Sequence, residues 1–190
     1  VKDEGIAIPI LLGKENTIKN LILENFLDLN DVKIIDPKSD EQKKNRIKFG
    51  ELLFEKRKRK GMTLTEAQKL MRERNYFGLM MVENGMADAF ISGISRNYPS
   101  TLRPALQIIG TEKGVDRVAG MFILNTKKGT LFLADTTINI NPTDEELANI
   151  AILTAKKVRQ FNEKPIVAFL SYSNFGSSLN NNVSKITRAL

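Results

Sequence analysis

Cysteine is absent from this chain of 190 residues, and so is histidine. Without cysteine there is no disulfide, no iron–sulfur cluster, no thiolate zinc site and no cysteine nucleophile within the chain. Without histidine there is no Ser-His-Asp arrangement and no imidazole metal ligand. Proton transfer is left to Asp, Glu, Lys, Tyr or an activated substrate. No apolar run approaches the roughly 20 residues that span a bilayer. No signal peptide is visible either, since Val1-Lys-Asp-Glu-Gly5 leads directly into an apolar segment. A cytoplasmic location away from membranes is therefore expected.

The composition suits a folded protein, with 42% apolar residues and ordinary levels of Gly (12) and Pro (6). Lys and Arg outnumber Asp and Glu by 29 to 22, a net charge of +7. Such a surplus favours an anionic partner over a merely solvated basic surface, with phosphate esters and coenzyme A as candidates. Nucleic acid is not expected, because no aromatic–basic alternation or known binding module accompanies the charge.

Short apolar runs alternate with amphipathic stretches. Gly5–Gly13, Val32–Asp36, Asp88–Gly93 and Ile166–Leu170 read as strands. Val115–Leu124 and Thr130–Ala134 read as a hairpin around the turn 125–129. Helices are expected over Lys14–Leu27, Ser39–Lys60 (closed by Gly61), from the Thr63 cap with Glu66, over Tyr76–Asn84, from Ser100 or Thr101 through Ile109, and from Thr143 with Glu146. The fold class that follows is α/β, a mostly parallel sheet with helices on both faces. Two α/β domains are expected, residues 1–110 with the anion-binding loops and 111–190, with the boundary near Thr111–Gly114. The start without methionine and the helix-like ending SKITRAL read as a fragment of a longer chain.

Ligands of open α/β sheets gather beyond the carboxyl ends of parallel strands. Three polar segments are expected there: Ser92–Arg96, Asp135–Asn139 and Ser171–Ser178. Arg103, read as lying in the opening turn of its helix, opposes the helix dipole and is better explained by an anion than by helix stability. Ser171, Ser173, Ser177 and Ser178 offer hydroxyls on a glycine-containing loop, which is also a common structural pattern. Tyr98 stands near the anion loop. Asp135 is open to a base or metal role or to ordinary capping. For most of the run Lys56–Lys60 the negative end of its helix is a sufficient explanation.

Several strings in one order carry a family resemblance: Arg57–Thr63 (RKRKGMT), Ala87–Gly93 (ADAFISG), Thr101–Ile109 (TLRPALQII), Asn141–Leu147 (NPTDEEL) and Leu170–Ser177 (LSYSNFGS). Together they resemble the phosphate acetyl/butyryltransferases from about Gly5 to the end. Asn75–Glu83 (NYFGLMMVE) and Ile94–Ser100 (ISRNYPS) look most like the phosphotransacetylase-like C-terminal portion of bacterial NADP-dependent malic enzymes. The resemblance implies a two-domain fold of the isocitrate/isopropylmalate dehydrogenase-like kind and a homo-oligomer. It places two anion-binding arginines at Arg57 and Arg103, and it implies that both domains are partial and that 111–190 dimerises. Ser92, Arg96, Tyr98, Ser171, Ser173 and Ser177, on the polar loops named above, complete the expected anion, acyl-phosphate or effector site. The ligand implied is acetyl-CoA or CoA, with no metal and no catalytic residue assigned within the chain. The transferases' downstream Ser-Arg-Gly segment and carboxylate lie beyond it. By the same resemblance the chain is a regulatory and oligomerising module binding acetyl-CoA or another phosphorylated small molecule. Its parent would decarboxylate malate to pyruvate, with NADP and a divalent metal bound elsewhere in that parent. The alternatives are acyl transfer between CoA and phosphate, and a purely structural dimerisation module.

Overall fold

The structure, a computed structural model, describes residues 1–29, 31–115, 117–173, 177 and 180–190. The chain is α/β and forms two compact units, Val1–Gly110 and Thr111–Leu190.

In the first unit, β1 (Ile10–Leu12) and β2 (Lys33–Ile35) pair in parallel with Ile10 opposite Lys33, and α1 (Glu15–Glu24) connects them. Four helices follow: α2 (Lys43–Arg57), α3 (Leu64–Leu70), α4 (Arg74–Glu83) and α5 (Tyr98–Ile108). Their core is built from Phe49 and Leu53 of α2, Ala67 of α3, Met71, Phe77 and Met80 around α4, and Ile108 of α5. Phe49 and Phe77 meet edge to face, centroids 5.3 Å apart. Helix α4 is buried nearly all round, as a central helix must be when others pack on several sides. At Gly78 a Cβ would lie 2.3 Å from the Phe90 ring, so the missing side chain lets the segment after α4 cross it closely.

The loop after β2 is held by Arg46, a buried side chain that donates to the carbonyls of Pro37 (2.8 Å) and Ser39. Those bonds satisfy loop carbonyls that have no ladder partner, so a cation serves as a structural clamp here.

In the second unit, β3 (Met121–Thr126) and β4 (Gly129–Ala134) form an antiparallel hairpin with Thr126 opposite Gly129 across Lys127-Lys128. Helix α6 (Asp144–Arg159) begins at the expected reciprocal capping box of Thr143 and Glu146. Helix α7 (Asn181–Ala189) meets it through Arg188 and Asp144, 2.5 Å apart.

Several expectations are corrected. Among the described residues parallel pairing is limited to β1 and β2, so the broad parallel sheet is not formed by them. Asp88–Gly93 and Ile166–Leu170 belong to no strand, and Ile91, Ile166 and Leu170 are 95%, 91% and 82% exposed. A strand exists only where a neighbour takes its amides and carbonyls, and apolar composition alone cannot supply one. The hairpin begins at Met121 rather than Val115. The long helix expected over 39–60 starts at Lys43 and tightens to a 3₁₀ turn at Lys58–Lys60. Gly61, at φ 87°, closes it as expected. At Thr63 only half of the expected box is seen, its hydroxyl accepting from the Glu66 amide at 3.2 Å. Among the described residues no helix is long and apolar enough to cross a membrane.

Asp135 organises the turn after β4. Its carboxylate accepts from the Gly120 amide at 2.7 Å and from the Asn139 amide at 2.6 Å, and also from the Asn139 side chain. Burial pushes this carboxyl up, but those donors together with the Thr137 amide outweigh it and hold it below the usual carboxylate value. A depressed folded pKa contributes stability above the unfolded value, and that contribution is lost as pH falls through the folded one. Asp135→Asn should therefore lower the urea midpoint at pH 7 and narrow its gap to the parent chain below about pH 3.9. An equal gap at both pH values would contradict this role.

Candidate functional site

The expected anion-binding residues fall in separate places. Arg57 ends α2 and Arg103 lies on α5, and both guanidinium charges act on the hydroxyl of Tyr76 on α4. Tyr76 is 9% exposed and donates to the Gln107 side chain at 2.6 Å, one turn beyond Arg103 on α5. Burial raises the phenol above its ordinary value; Arg103 and then Arg57 pull it down, while Glu66 of α3 pushes it up. Charges carried by four helices thus bear on one buried phenol. Neither arginine has a carboxylate partner within salt-bridge distance among the described residues. Unpaired guanidiniums at a shared spot suit a planar or tetrahedral oxyanion.

The neighbouring cations are used differently. Lys56 pairs with Glu83 and donates to the Ile108 carbonyl at 2.9 Å, which satisfies the end of α5. Lys58 pairs with Glu55 at 2.5 Å. These two lysines are taken up by carboxylates and by a carbonyl of α5 rather than by the end of their own helix, while the charge of Arg57 bears on Tyr76.

The argument from the helix dipole for Arg103 is overturned. The cap of α5 is Asn97, which accepts from the Ser100 amide at 3.1 Å, rather than Ser100 or Thr101. The helix therefore starts at Tyr98, with Pro99 in its first turn, and Arg103 lies in the second turn. There the dipole gives it little penalty. Its case rests on the shared surroundings of Tyr76.

Pro104 inside α5 has no amide to donate, so the carbonyl of Ser100 four residues back loses its helical partner. The Asn75 side chain takes that place, donating to the Ser100 carbonyl at 2.9 Å. Its own oxygen accepts from the Ser92 hydroxyl at 2.9 Å. Asn75 is 3% exposed, and it ties α4, the segment after it and the start of α5 at one point. Ser92 spends its hydroxyl proton on Asn75 and keeps its acceptor lone pairs. Arg96 pairs with Glu73 at 2.9 Å and anchors the same segment. Tyr98 is half exposed at the first position of α5. Sequence reasoning missed Asn75 and Tyr76 as site builders; the local signal for the first was the orphaned acceptor that an interior proline creates.

The remaining serines are in the second unit. Ser171 accepts from the Ser173 amide at 3.2 Å, and the Ser173 and Ser177 hydroxyls are 3.4 Å apart. Gly176 and Ser178, the other expected members of that loop, lie outside the described residues. No group of three or more acidic, His or Cys side chains among the described residues is arranged to hold a metal ion.

A helical frame in which two arginine charges reach one buried phenol makes this a candidate anion site in an α/β protein. Its family is shown by comparison: a profile described as phosphate acetyl/butaryl transferase matches residues 1–190, and the chain belongs to that family. It is 38% identical over 194 residues to the phosphate acetyltransferase of Clostridium acetobutylicum, covering 98% of this chain and 57% of that protein. The phosphate acetyltransferase of Bacillus subtilis is 38% identical over 182 residues, covering 96% and 55%. A phosphotransacetylase structure from Streptococcus pyogenes superposes with a TM-score of 0.82 at 37% identity, over 99% of this chain and 56% of that one. One from Staphylococcus aureus gives 0.78 at 36% identity, over 95% and 54%. The chain spans about half the length of the relatives it matches.

Removing one guanidinium should be legible at the phenol. Arg103→Gln is expected to raise the titration midpoint of Tyr76, followed through its tyrosinate absorbance or ring carbon shift, and Arg57→Gln should raise it less. An unmoved Tyr76 midpoint in both variants would contradict the shared site.

Proposed function

We propose that this chain contributes the acyl-phosphate side of a phosphate acetyltransferase, which exchanges an acetyl group between coenzyme A and phosphate. The observation that carries the reading is that two arginines, neither within salt-bridge distance of a carboxylate among the described residues, both bear electrostatically on the buried Tyr76 hydroxyl, in a chain whose relatives are phosphate acetyltransferases. In this reading Arg57 and Arg103 hold the phosphoryl oxygens of acetyl phosphate. The coenzyme A sulfur attacks the acetyl carbon, a C–S bond forms, the bond from carbon to the phosphate oxygen breaks, and phosphate leaves with that electron pair. The thiol proton goes to a base that is not assigned in this chain. Arginines fixed by helices cost no reorganisation as negative charge gathers on the leaving oxygen. The protein is read as cytoplasmic and homo-oligomeric.

A second reading is favoured by one segment. Arg96 is engaged by Glu73 and Asn97 by the cap of α5, where the transferases carry small polar residues by resemblance. Those contacts suit a site that keeps acetyl-CoA binding while serving as the regulatory, oligomerising portion of an NADP-dependent malic enzyme. The two domains, residues 1–110 and 111–190, and the serines Ser171, Ser173 and Ser177 as further anion contacts belong to both readings.

The assay is acetyl phosphate formation from acetyl-CoA and phosphate by the intact protein that contains this chain. Arg103→Ala should lower kcat by about 100- to 1000-fold, the usual cost of one charge-stabilising donor. Acetyl-CoA binding by calorimetry without turnover, together with altered malate-dependent NADP reduction, would favour the second reading. Absence of acetyl-CoA binding would refute both.

A further inference from the structure

A cavity of about 370 Å³ opens in the first unit beyond the carboxyl ends of β1 and β2. Neither Arg57 nor Arg103 lines it. Its polar wall holds five cations, Lys14, Lys38, Arg72, Arg74 and Arg96, against the two carboxylates Asp36 and Glu73. Of the five, only Arg96 is neutralised, by Glu73. The other four have no carboxylate within salt-bridge distance among the described residues. Grouped like charges repel one another, so a concave cluster of unpaired cations costs stability unless something anionic offsets it.

The helix ends around the cavity point the same way. Lys14 is the N-cap of α1 and Arg74 the first residue of α4, both helices of 10 residues, and neither start has a side-chain cap. A cation at a helix N-terminus opposes the dipole, and here two such ends meet in one pocket. The one acidic residue in the first turn of α1, Glu15, is turned to Lys19 at 2.6 Å. Free amides, positive helix ends and four unpaired cations are all answered by one ligand chemistry, a phosphoryl group. Ile18 and Leu21 line the rest of the wall and offer an apolar floor beside the charged end. The volume falls in the lower part of the range for small-molecule pockets.

We infer that this cavity is a second anion site, taking an organic phosphate whose phosphoryl or diphosphate group lies between Lys14, Lys38 and Arg74 and whose apolar part rests on Ile18 and Leu21. The inference does not depend on acyl transfer at Arg57 and Arg103. The same chemistry is carried by the phosphates of coenzyme A and by a separate phosphorylated metabolite. Arg96 joins the cavity to the segment that ends in the cap of α5, so occupancy has a covalent route to the helix that carries Arg103.

The test is calorimetric titration of the intact protein with inorganic pyrophosphate at low salt. The wild-type protein should bind it. The Lys14→Gln, Arg74→Gln double variant should bind roughly tenfold or more weakly, since two charge-assisted bonds are removed. In an Arg103→Gln background the same double substitution should still weaken pyrophosphate binding roughly tenfold, which separates this cavity from the acyl-phosphate site. Arg74→Lys, with circular dichroism confirming the fold, should retain most of the affinity and shows that charge rather than packing is lost. Failure of the wild-type protein to bind pyrophosphate overturns the inference, as does undiminished binding by the double variant. A parallel titration with coenzyme A identifies the source: weakened binding in the double variant assigns the cavity to its phosphates, and unchanged binding beside lost pyrophosphate binding assigns it to a separate metabolite.

Discussion

The first unit depends on the contact of Asn75 with the start of α5. Pro104 removes one helical hydrogen bond and leaves the Ser100 carbonyl without its usual donor. Asn75, buried on α4, supplies that donor and takes the Ser92 hydroxyl in return. One amide side chain thereby fixes where α5 begins relative to α4. The directions of Arg103, Gln107 and Tyr76 follow from that placement. A buried polar side chain with every partner present specifies one arrangement more sharply than apolar packing does, because each alternative leaves a group unsatisfied.

Charge is divided by the same logic across the basic surface. Lysines that sit next to carboxylates or helix carbonyls close structure, as Lys56 does at the end of α5. Arg46 is buried and donates to two loop carbonyls. Of the cations without a carboxylate partner among the described residues, some stay dispersed on the surface, as Lys43, Lys48 and Lys127 do, and two groups bear on a common place, at Tyr76 and beyond the carboxyl ends of β1 and β2. Both groups suit phosphoryl chemistry.

How much of this was legible in the sequence varies with how local the cause is. Helix α6 was readable because its capping box lies within four residues, and Gly61 because a left-handed end needs glycine. The start of α5 was misread although a local signal existed: Asn97 followed within two residues by Pro99 marks a helix entry better than Ser100 does. The apolar segments around Ile91 and Ile166 read as strands because composition resembles one, while pairing is decided by a neighbour distant in sequence. Arg103 was singled out from a helix start that the cap at Asn97 moves, and its pairing with Arg57 came from family resemblance, since nothing in their spacing brings them together. Tyr76 had no signal beyond being an aromatic near a helix start.

The central claim is that Asn75 replaces the hydrogen bond Pro104 cannot make, and a double-mutant cycle on unfolding stability tests it. In Pro104→Ala the residue regains an amide for the Ser100 carbonyl, so Asn75→Ala should cost less in that background, with a coupling of about 0.5–3 kcal/mol. Costs of Asn75→Ala that are the same in both backgrounds would contradict it.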